Sequence, residues 1–512
     1  MSNVSENNKR IAKNTLFLYL RMLFTMAVSL YTSRIVLETL GVEDFGIYNV
    51  VGGVVAMMSF LNSTMATATQ RFLNYEMGRN NSTNINKVFS ASLICYVIIA
   101  IIVVVLSETL GIWFLENKLV IPESRAIAAY WVFQFSIATF VFSLLSVPYN
   151  AVIIANEKMS AFAYISIIEV LGKLLIVYLL VISNFDRLIL YGILTLFISI
   201  AIFLLYYIYC RRNFSESKFH FTWEKQLFVK LSQFSSWMLI GTICHIFNTQ
   251  GVNMLINIFF GPILNASRAI TIQVYNAVNA FATNFMMAIR PQIIKLYAQR
   301  NFPYMYNLVF TSSKLSFGLL FIMSIPLIFD TDYILLLWLK KIPEFSDYFI
   351  KLVLIDLLLT SSFSPIATLS QASGKIKNYQ LIISVGFILI FLISWLLYYL
   401  GFPAYYTFIV SIIINIIGLF GRIIELKYSQ SFPVCEYIKK VIIPVVITFS
   451  ISVSAILLLQ IKLKPSVTFY SFIVNNLVYI IISMLFFYCI ALNKREKKTI
   501  INFAVTKIRK KI

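Results

Sequence analysis

The chain has 512 residues, 60% hydrophobic and only 12% charged, with a net charge of +21. A soluble domain carries about 25% charged residues, so this composition excludes an ordinary soluble protein and points to an integral membrane protein, as does a mean hydropathy of +0.84. The basic excess does not signal nucleic-acid binding, because Lys and Arg sit mostly in short segments between long apolar runs and in the C-terminal tail.

A helix needs about 20 apolar residues to span the hydrocarbon core. Lipid offers no partner for the backbone, so such runs are read as helices; strand-period alternation, the mark of a β-barrel, is missing. Fourteen spans are expected, at roughly 14–37, 46–66, 88–107, 126–150, 160–183, 188–210, 234–258, 262–288, 306–329, 349–370, 378–400, 404–425, 438–460 and 468–491. The first run is long and lacks a small-residue cleavage site, so it is read as a true span rather than a signal peptide. Basic residues crowd every second loop: Lys9, Arg10 and Lys13; Arg71, Arg79 and Lys87; Lys158; Arg211, Arg212, Lys218, Lys225 and Lys230; Arg290, Lys295 and Arg300; Lys375 and Lys377; Lys427, Lys439 and Lys440; and the tail. That bias places both termini in the cytoplasm. The tail after Asn493 mixes Ile500, Ile501, Phe503 and Ile508 with many lysines. It is read either as an amphipathic segment on anionic lipid or as a solvated basic tail that fixes topology.

Short matches recur at a nearly constant spacing. Gly41 recurs as Gly261, and Arg79-Asn80 as Arg300-Asn301. Asn86, Val88, Phe89 and Ser92 recur as Asn307, Val309, Phe310 and Ser313; Pro148, Ala155 and Lys158 recur as Pro365, Ala372 and Lys375. The expected fold is therefore all-α: two six-helix lobes related by a parallel repeat, plus two C-terminal helices. The expected boundaries are 1–212 and 213–430 for the lobes, 431–492 for the extra helices and 493–512 for the basic tail.

The repeat aligns polar side chains. In span 1, Arg21, Thr25, Ser29 and Ser33 step by four along one helical face. In span 7, Thr242, His245, Thr249, Asn253 and Asn257 do the same, and in span 8 Arg268 is followed by Asn276, Asn279 and Thr283 at helical spacing. These faces are read as the lining of a shared cavity; the alternative is hydrogen bonding between helices. Arg21, Arg268 and Lys314 lie inside spans, where a charge is costly, and are read with Arg34 as a cationic site for a phosphate-bearing substrate. Snorkelling to the interface is the alternative for Arg34. Glu169 and Lys173, spaced i, i+4, are expected to pair. Asp356 and His245 are candidates for a coupling ion or proton, against plain hydrogen-bonded roles. Asp330 and Asp332, in the longest outer loop, are read as solvated charge. The five cysteines have no metal-ligand spacing and are read as small hydrophobes. P-loop, zinc-protease and nucleophile-elbow motifs are missing, so an ATPase or hydrolase is not expected, nor a metal or cofactor.

The segment KNTLFLYLRMLFTMAVSLYTSRIVLETLGVEDFGIYNVVGGVVAMMSFLNSTMATATQRFL resembles bacterial polysaccharide flippases of the O-antigen (Wzx) type, most clearly over residues 9–160 and above all in LGVEDFGIYNVV. These flippases share a superfamily with MATE drug exporters and lipid II flippases. The resemblance implies a cavity lined by helices 1, 2, 7 and 8 and an alternating-access cycle. It also implies carriage of an undecaprenyl-pyrophosphate-linked anionic oligosaccharide across the bacterial inner membrane, with Arg21, Arg268 and Lys314 as the family's cavity cations. Spans 13 and 14 would correspond to the extra pair that forms a lipid-tail groove in lipid II flippases. Implied partners are membrane lipid, H⁺ or Na⁺, and other polysaccharide-assembly proteins. MATE exporters often use an acid in helix 1, where this chain has Arg21. The alternatives are a cation-coupled small-molecule exporter, a membrane glycan polymerase or glycosyltransferase, and a scaffold for anionic lipid that uses the basic tail.

Overall fold

A computed structural model describes residues 2–498 except 57, 118, 120, 222–223, 340–342, 462–467 and 495. Most of the basic tail, with Lys507, Arg509, Lys510 and Lys511, lies outside the described residues. Two compact units are present, Met1–Leu239 and Ile240–Ile512.

The first unit contains α1 (Ser2–Ala56), α2 (Ser59–Gly78), α3 (Ser82–Leu106), α4 (Ile112–Asn117), α5 (Ala126–Ala155), α6 (Met159–Ile182), α7 (Arg187–Asn213) and the start of α8 (Lys225–Ala298). The second contains the rest of α8, then α9 (Phe302–Phe329), α10 (Thr331–Leu339), α11 (Ser346–Ser361), α12 (Ser364–Ser373), α13 (Lys377–Tyr399), α14 (Tyr406–Gln430), α15 (Val434–Tyr437), α16 (Ile443–Gln460) and α17 (Phe469–Phe486). Among the described residues, eleven helices are long and apolar enough to cross a membrane, or twelve if the pair α11–α12, bent by 43°, forms one span. Apolar side chains such as Phe197, Ile417 and Leu458 remain exposed on helix exteriors, as expected of a multi-pass membrane protein whose outer solvent is lipid.

The caps follow local chemistry. Asn81 accepts from Asn84 N at 3.2 Å to start α3. Asp186 accepts from Leu188 N and Ile189 N to start α7, and Thr468 and Ser471 cap α17 reciprocally. At 74 residues, α8 would be about 110 Å long as a straight helix. It is broken at Gly261 (φ 80, ψ −175), and α1 is broken in the same way at Gly41 (φ 80, ψ 168). Two further left-handed positions recur between the copies: Asn80 (φ 54) with Arg300 (φ 58), and Glu157 (φ 58) with Gly374 (φ 78). Each pair stands within one residue of the spacing of the sequence repeat, so the backbone repeats where side chains have diverged.

Several helices extend beyond the expected spans, α2 and α8 among them. The polar residues Arg71 and Arg290, assigned to loops from sequence, lie within α2 and α8. Arg71 is buried, with its guanidinium 4.5 Å from the ring centroid of Phe72, 4.9 Å from Tyr75 and 5.7 Å from Phe234. Cation–π stacking lets a helix carry arginine past the apolar run.

The LGVEDFGIYNVV stretch owes part of its character to packing. Arg125, before α5, donates through Nε to Asp44 Oδ1 at 2.7 Å and through Nη1 to Asp186 Oδ2 at 2.5 Å. Arg187 Nη1 donates to Thr39 O at 3.1 Å. The residues on both sides of the Gly41 break are thus tied to the starts of α5 and α7. Burial alone would raise the Asp186 carboxyl, but Arg125 and the N–H groups of Ile189 and Leu188 outweigh it and hold the group below its usual range. A depressed folded pKa gives stability that is complete above the unfolded value, about 3.9, and is lost as pH falls through the folded one. Arg125→Gln is expected to cost about 1.5–3 kcal/mol, read as a lower thermal midpoint in detergent. In the parent, the contribution should persist to below pH 4.

The C-terminal helices are fastened to α9. The Phe487 ring fills the space over Gly318, where an added Cβ would stand 2.2 Å from its Cζ. Tyr437 Oη hydrogen-bonds Ser313 Oγ on α9 at 3.4 Å and donates to Ser362 O, after α11, at 2.9 Å. Asn476 Nδ2 donates to Asp330 Oδ2 at 2.8 Å. Asp330 is therefore a buried joint between α9 and α17 rather than solvated loop charge.

Candidate substrate-binding faces

In the first unit, Arg21 points from α1 to α6. Its Nη1 donates to Ser166 Oγ at 3.5 Å and its guanidinium lies 4.6 Å from the Phe162 ring centroid. Along the same face Thr25 donates to Met22 O at 3.0 Å, Ser33 donates to Ser29 O, and Ser29 is exposed. Arg34 does not stand as an open cation: it pairs with Glu38 at 2.9 Å, and both are largely exposed. Glu169 and Lys173 pair at 2.7 Å.

In the second unit, Thr249 donates to His245 O at 2.9 Å and Thr283 to Ala280 O at 3.0 Å. The bonds of Thr25, Ser33, Thr249 and Thr283 thus return to their own helix, not to a neighbour. Arg21, on the same face of α1, bonds instead across to Ser166 on α6. Asn253 and Asn279 are half-buried, and Asn276 is exposed. His245 is exposed, with its ring edge-on to Phe387 at 5.1 Å.

Arg268 departs from the stripe it was grouped with. Asn276 and Thr283 are exposed, whereas Arg268 is only 6% exposed and turns into its own bundle. One nitrogen, Nη2, donates to the backbone carbonyl of Thr249 at 3.0 Å. Its Nε is buried without a hydrogen-bond partner, and among the described residues no carboxylate pairs with it. A full positive charge is therefore met here by a single carbonyl dipole. Arg290, further along α8, also has a buried Nε without a partner among the described residues.

Lys314 is matched within the protein rather than left as an open cation. Its Nζ is buried in an ion pair with Glu496 Oε2, and Thr311 Oγ1 donates to Glu496 Oε1 at 2.9 Å. Glu496 also accepts from Asn493 N at 2.8 Å, while Asn493 Oδ1 accepts from Glu496 N at 2.9 Å. This capping box roots the tail on α9. The Asn-x-x-Glu spacing was present in the sequence but masked by the surrounding lysines. Lys314→Met would leave Glu496 buried and unpaired, and is expected to destabilise by about 3–5 kcal/mol. Adding Glu496→Gln should restore most of that loss, as measured by thermal unfolding.

Asp356 sits among donors on α14: Ser411 Oγ at 2.8 Å and Asn415 Nδ2 at 2.8 Å. Ser411 and Asn415 stand i, i+4 on span 12, a signal that sequence reasoning overlooked.

No protein-family profile and no curated protein matches the chain. Solved structures do. The chain is similar to a MATE transporter in the bent conformation, with a TM-score of 0.69 at 14% identity, covering 83% of this chain and 97% of that one. It is similar to a MATE transporter of Vibrio cholerae, with a TM-score of 0.66 at 14% identity over 84% and 99%. It is also similar to a MOP superfamily transporter from Pyrococcus furiosus, with a TM-score of 0.63 at 15% identity over 82% and 97%. Nearly the whole of each of these chains is matched, so this protein has the fold of MATE transporters of the MOP superfamily.

Proposed function

We propose that this protein is a transporter that carries an undecaprenyl-pyrophosphate-linked oligosaccharide across the bacterial inner membrane by alternating access. The observation that carries this reading is the uncompensated charge of Arg268. A guanidinium held with one carbonyl and no carboxylate is suited to phosphate oxygens, which it can take bidentately. Arg21 supplies a second cation on the α1 face, and the stripes of Thr25, Ser29, Ser33, Thr249, Asn253, Asn276, Asn279 and Thr283 would accept sugar hydroxyls. For the Pyrococcus furiosus transporter, reverse polarity of the binding pocket is described as suggesting a different function.

In this reading the broken helices α1 and α8 each count as two spans, which gives fourteen, with both termini in the cytoplasm. The lobes are 1–212 and 213–430. Residues 431–492 form the extra pair beside the lipid tail, and 493–512 the basic tail. Membrane lipid and other polysaccharide-assembly proteins are the expected partners.

A second reading, a cation-coupled exporter of small molecules, is favoured by Asp356. Its carboxylate, ringed by Ser411 and Asn415, could take H⁺ or Na⁺, with His245 as the other candidate.

Lipid extracts of a deletion strain separate the two. Accumulation of a lipid-linked glycan on the cytoplasmic leaflet supports the first reading. Changed drug susceptibility with normal glycan supports the second.

A further inference from the structure

In the first unit, three loops meet around a cavity of about 470 Å³ lined by Met77, Asn80, Thr83, Ile85, Asn86, Asn156, Ser215 and Glu216. None of these residues belongs to the polar stripes. The amide orientations are fixed by carbonyl partners. Asn86 Nδ2 donates to Glu216 O at 3.2 Å and Lys218 O at 2.6 Å. Asn156 Nδ2 donates to Val152 O at 3.0 Å and Glu216 Oε1 at 3.0 Å. With both amide N–H groups engaged, what Asn86 and Asn156 have left to offer is oxygen, beside the Glu216 carboxylate and the Ser215 hydroxyl. Asn80 holds its place from a left-handed backbone (φ 54). Met77 and Ile85 supply an apolar side.

The second copy shows that the fold does not impose this cavity. At the repeat spacing, Ser215 and Glu216 correspond to Phe432 and Pro433. Phe432 is 2% exposed and packs against Tyr306, Phe310 and Tyr437. The place that is oxygen-lined in one copy is filled by aromatic rings in the other.

We propose that the first-copy cavity binds a sugar unit, with the amide and carboxylate oxygens accepting from its hydroxyls and Met77 and Ile85 meeting its C–H face. The volume falls in the range of ligand pockets, about 300–1,000 Å³, and is far larger than a bare cation needs. A single carboxylate, already accepting two hydrogen bonds, in a chain of net charge +21, is a poor cation trap. The site lies on loops that the charge pattern assigns to the cytoplasm, where it would receive the glycan ahead of the arginines. The choice of sugar rests on the oligosaccharide reading; the site does not.

The test is saturation-transfer difference NMR on the full chain in nanodiscs, using free glucose, galactose, rhamnose and N-acetylglucosamine as probes. At least one sugar should give a signal. Glu216→Gln should reduce it several-fold. Ser215→Phe, which imports the second copy's filler, should reduce it at least tenfold. Thermal midpoints of both variants are measured alongside. Lys440→Met, an exposed residue paired with Glu436 and outside both the cavity and the polar faces, should leave the signal unchanged. Equal signals in the parent and a folded Ser215→Phe variant would overturn the site, as would loss of signal in Lys440→Met. If none of the four sugars binds, or if the parent instead responds to Mg²⁺ or Ca²⁺, the ligand class is wrong, while the lipid-extract result still decides the transport reading independently.

Discussion

On the proposed function, Arg268→Met is expected to abolish transport of a lipid-linked substrate while leaving the protein folded in the membrane, and at least as stable as the parent. The two halves of this result have one cause. Arg268 is buried, makes one hydrogen bond to Thr249 O, and has a buried Nε with no partner. A charge in that condition is unfavourable for the folded state, and replacing it with an apolar side chain of similar volume is neutral or stabilising by about 1–4 kcal/mol in comparable cases. If the charge is kept to meet phosphate, removing it deletes a charge-assisted contact worth about 2–5 kcal/mol. At about 1.4 kcal/mol per tenfold, that is roughly a 30- to 4,000-fold loss of affinity. Arg268→Lys should fall between the two, because it restores charge but not the bidentate fork. The measurements are surface glycan, protein abundance in the membrane and thermal midpoint, made on the same variants. A fall in midpoint that tracks the loss of glycan would make Arg268 a structural residue. Normal glycan in Arg268→Met would remove the cationic-site reading.

The apolar runs made most of the fold legible, because a spanning helix must satisfy its backbone internally and so announces itself by length. α5 to α7 and α13 to α17 start and stop close to where hydropathy puts them. Hydropathy fails where helices outlast the membrane. α2 continues past Arg71 because three aromatic rings receive its guanidinium, and α8 continues to Ala298 past Arg290. The site residues divide along a similar line. Stripe members such as Thr25, Thr249 and Thr283 could be picked by spacing, since they share helical faces. Whether a cation is open or matched depends on residues far away in sequence, and spacing is silent on that. Lys314 and Arg268 look alike in a hydropathy plot. Glu496, 182 residues on, neutralises the first, and among the described residues no carboxylate reaches the second. Arg34 could have been separated earlier, since Glu38 stands one helical turn away.

The second large effect is expected at the breaks in α1 and α8. Gly41→Ala and Gly261→Ala should each destabilise the protein by about 1–3 kcal/mol, the cost of forcing a side chain into a backbone region that essentially only glycine occupies. Neither position has a neighbouring atom within 4 Å of where a Cβ would be, so the penalty comes from the residue's own backbone and not from crowding. Gly46 provides the control within the same element. It too has nothing within 4 Å, but it lies in regular helix, where Gly→Ala stabilises by about 0.5–1 kcal/mol. The sign of the effect should therefore reverse over five residues of chain, between Gly41 and Gly46. Larger side chains at Gly41 should cost no less than alanine, because the strain is set at Cβ. The consequence is also functional: each break separates two segments of one polar-faced helix, and at Gly261 it sets where Arg268, two turns on, enters its bundle. Gly261→Ala should then lower glycan export beyond what its stability loss explains, whereas Gly374→Ala, at an ordinary left-handed helix end (φ 78, ψ −8), should lower stability alone. Matching, stabilising effects of Gly41→Ala and Gly46→Ala would show that α1 runs unbroken, and the assignment of two spans to it would fall with that result.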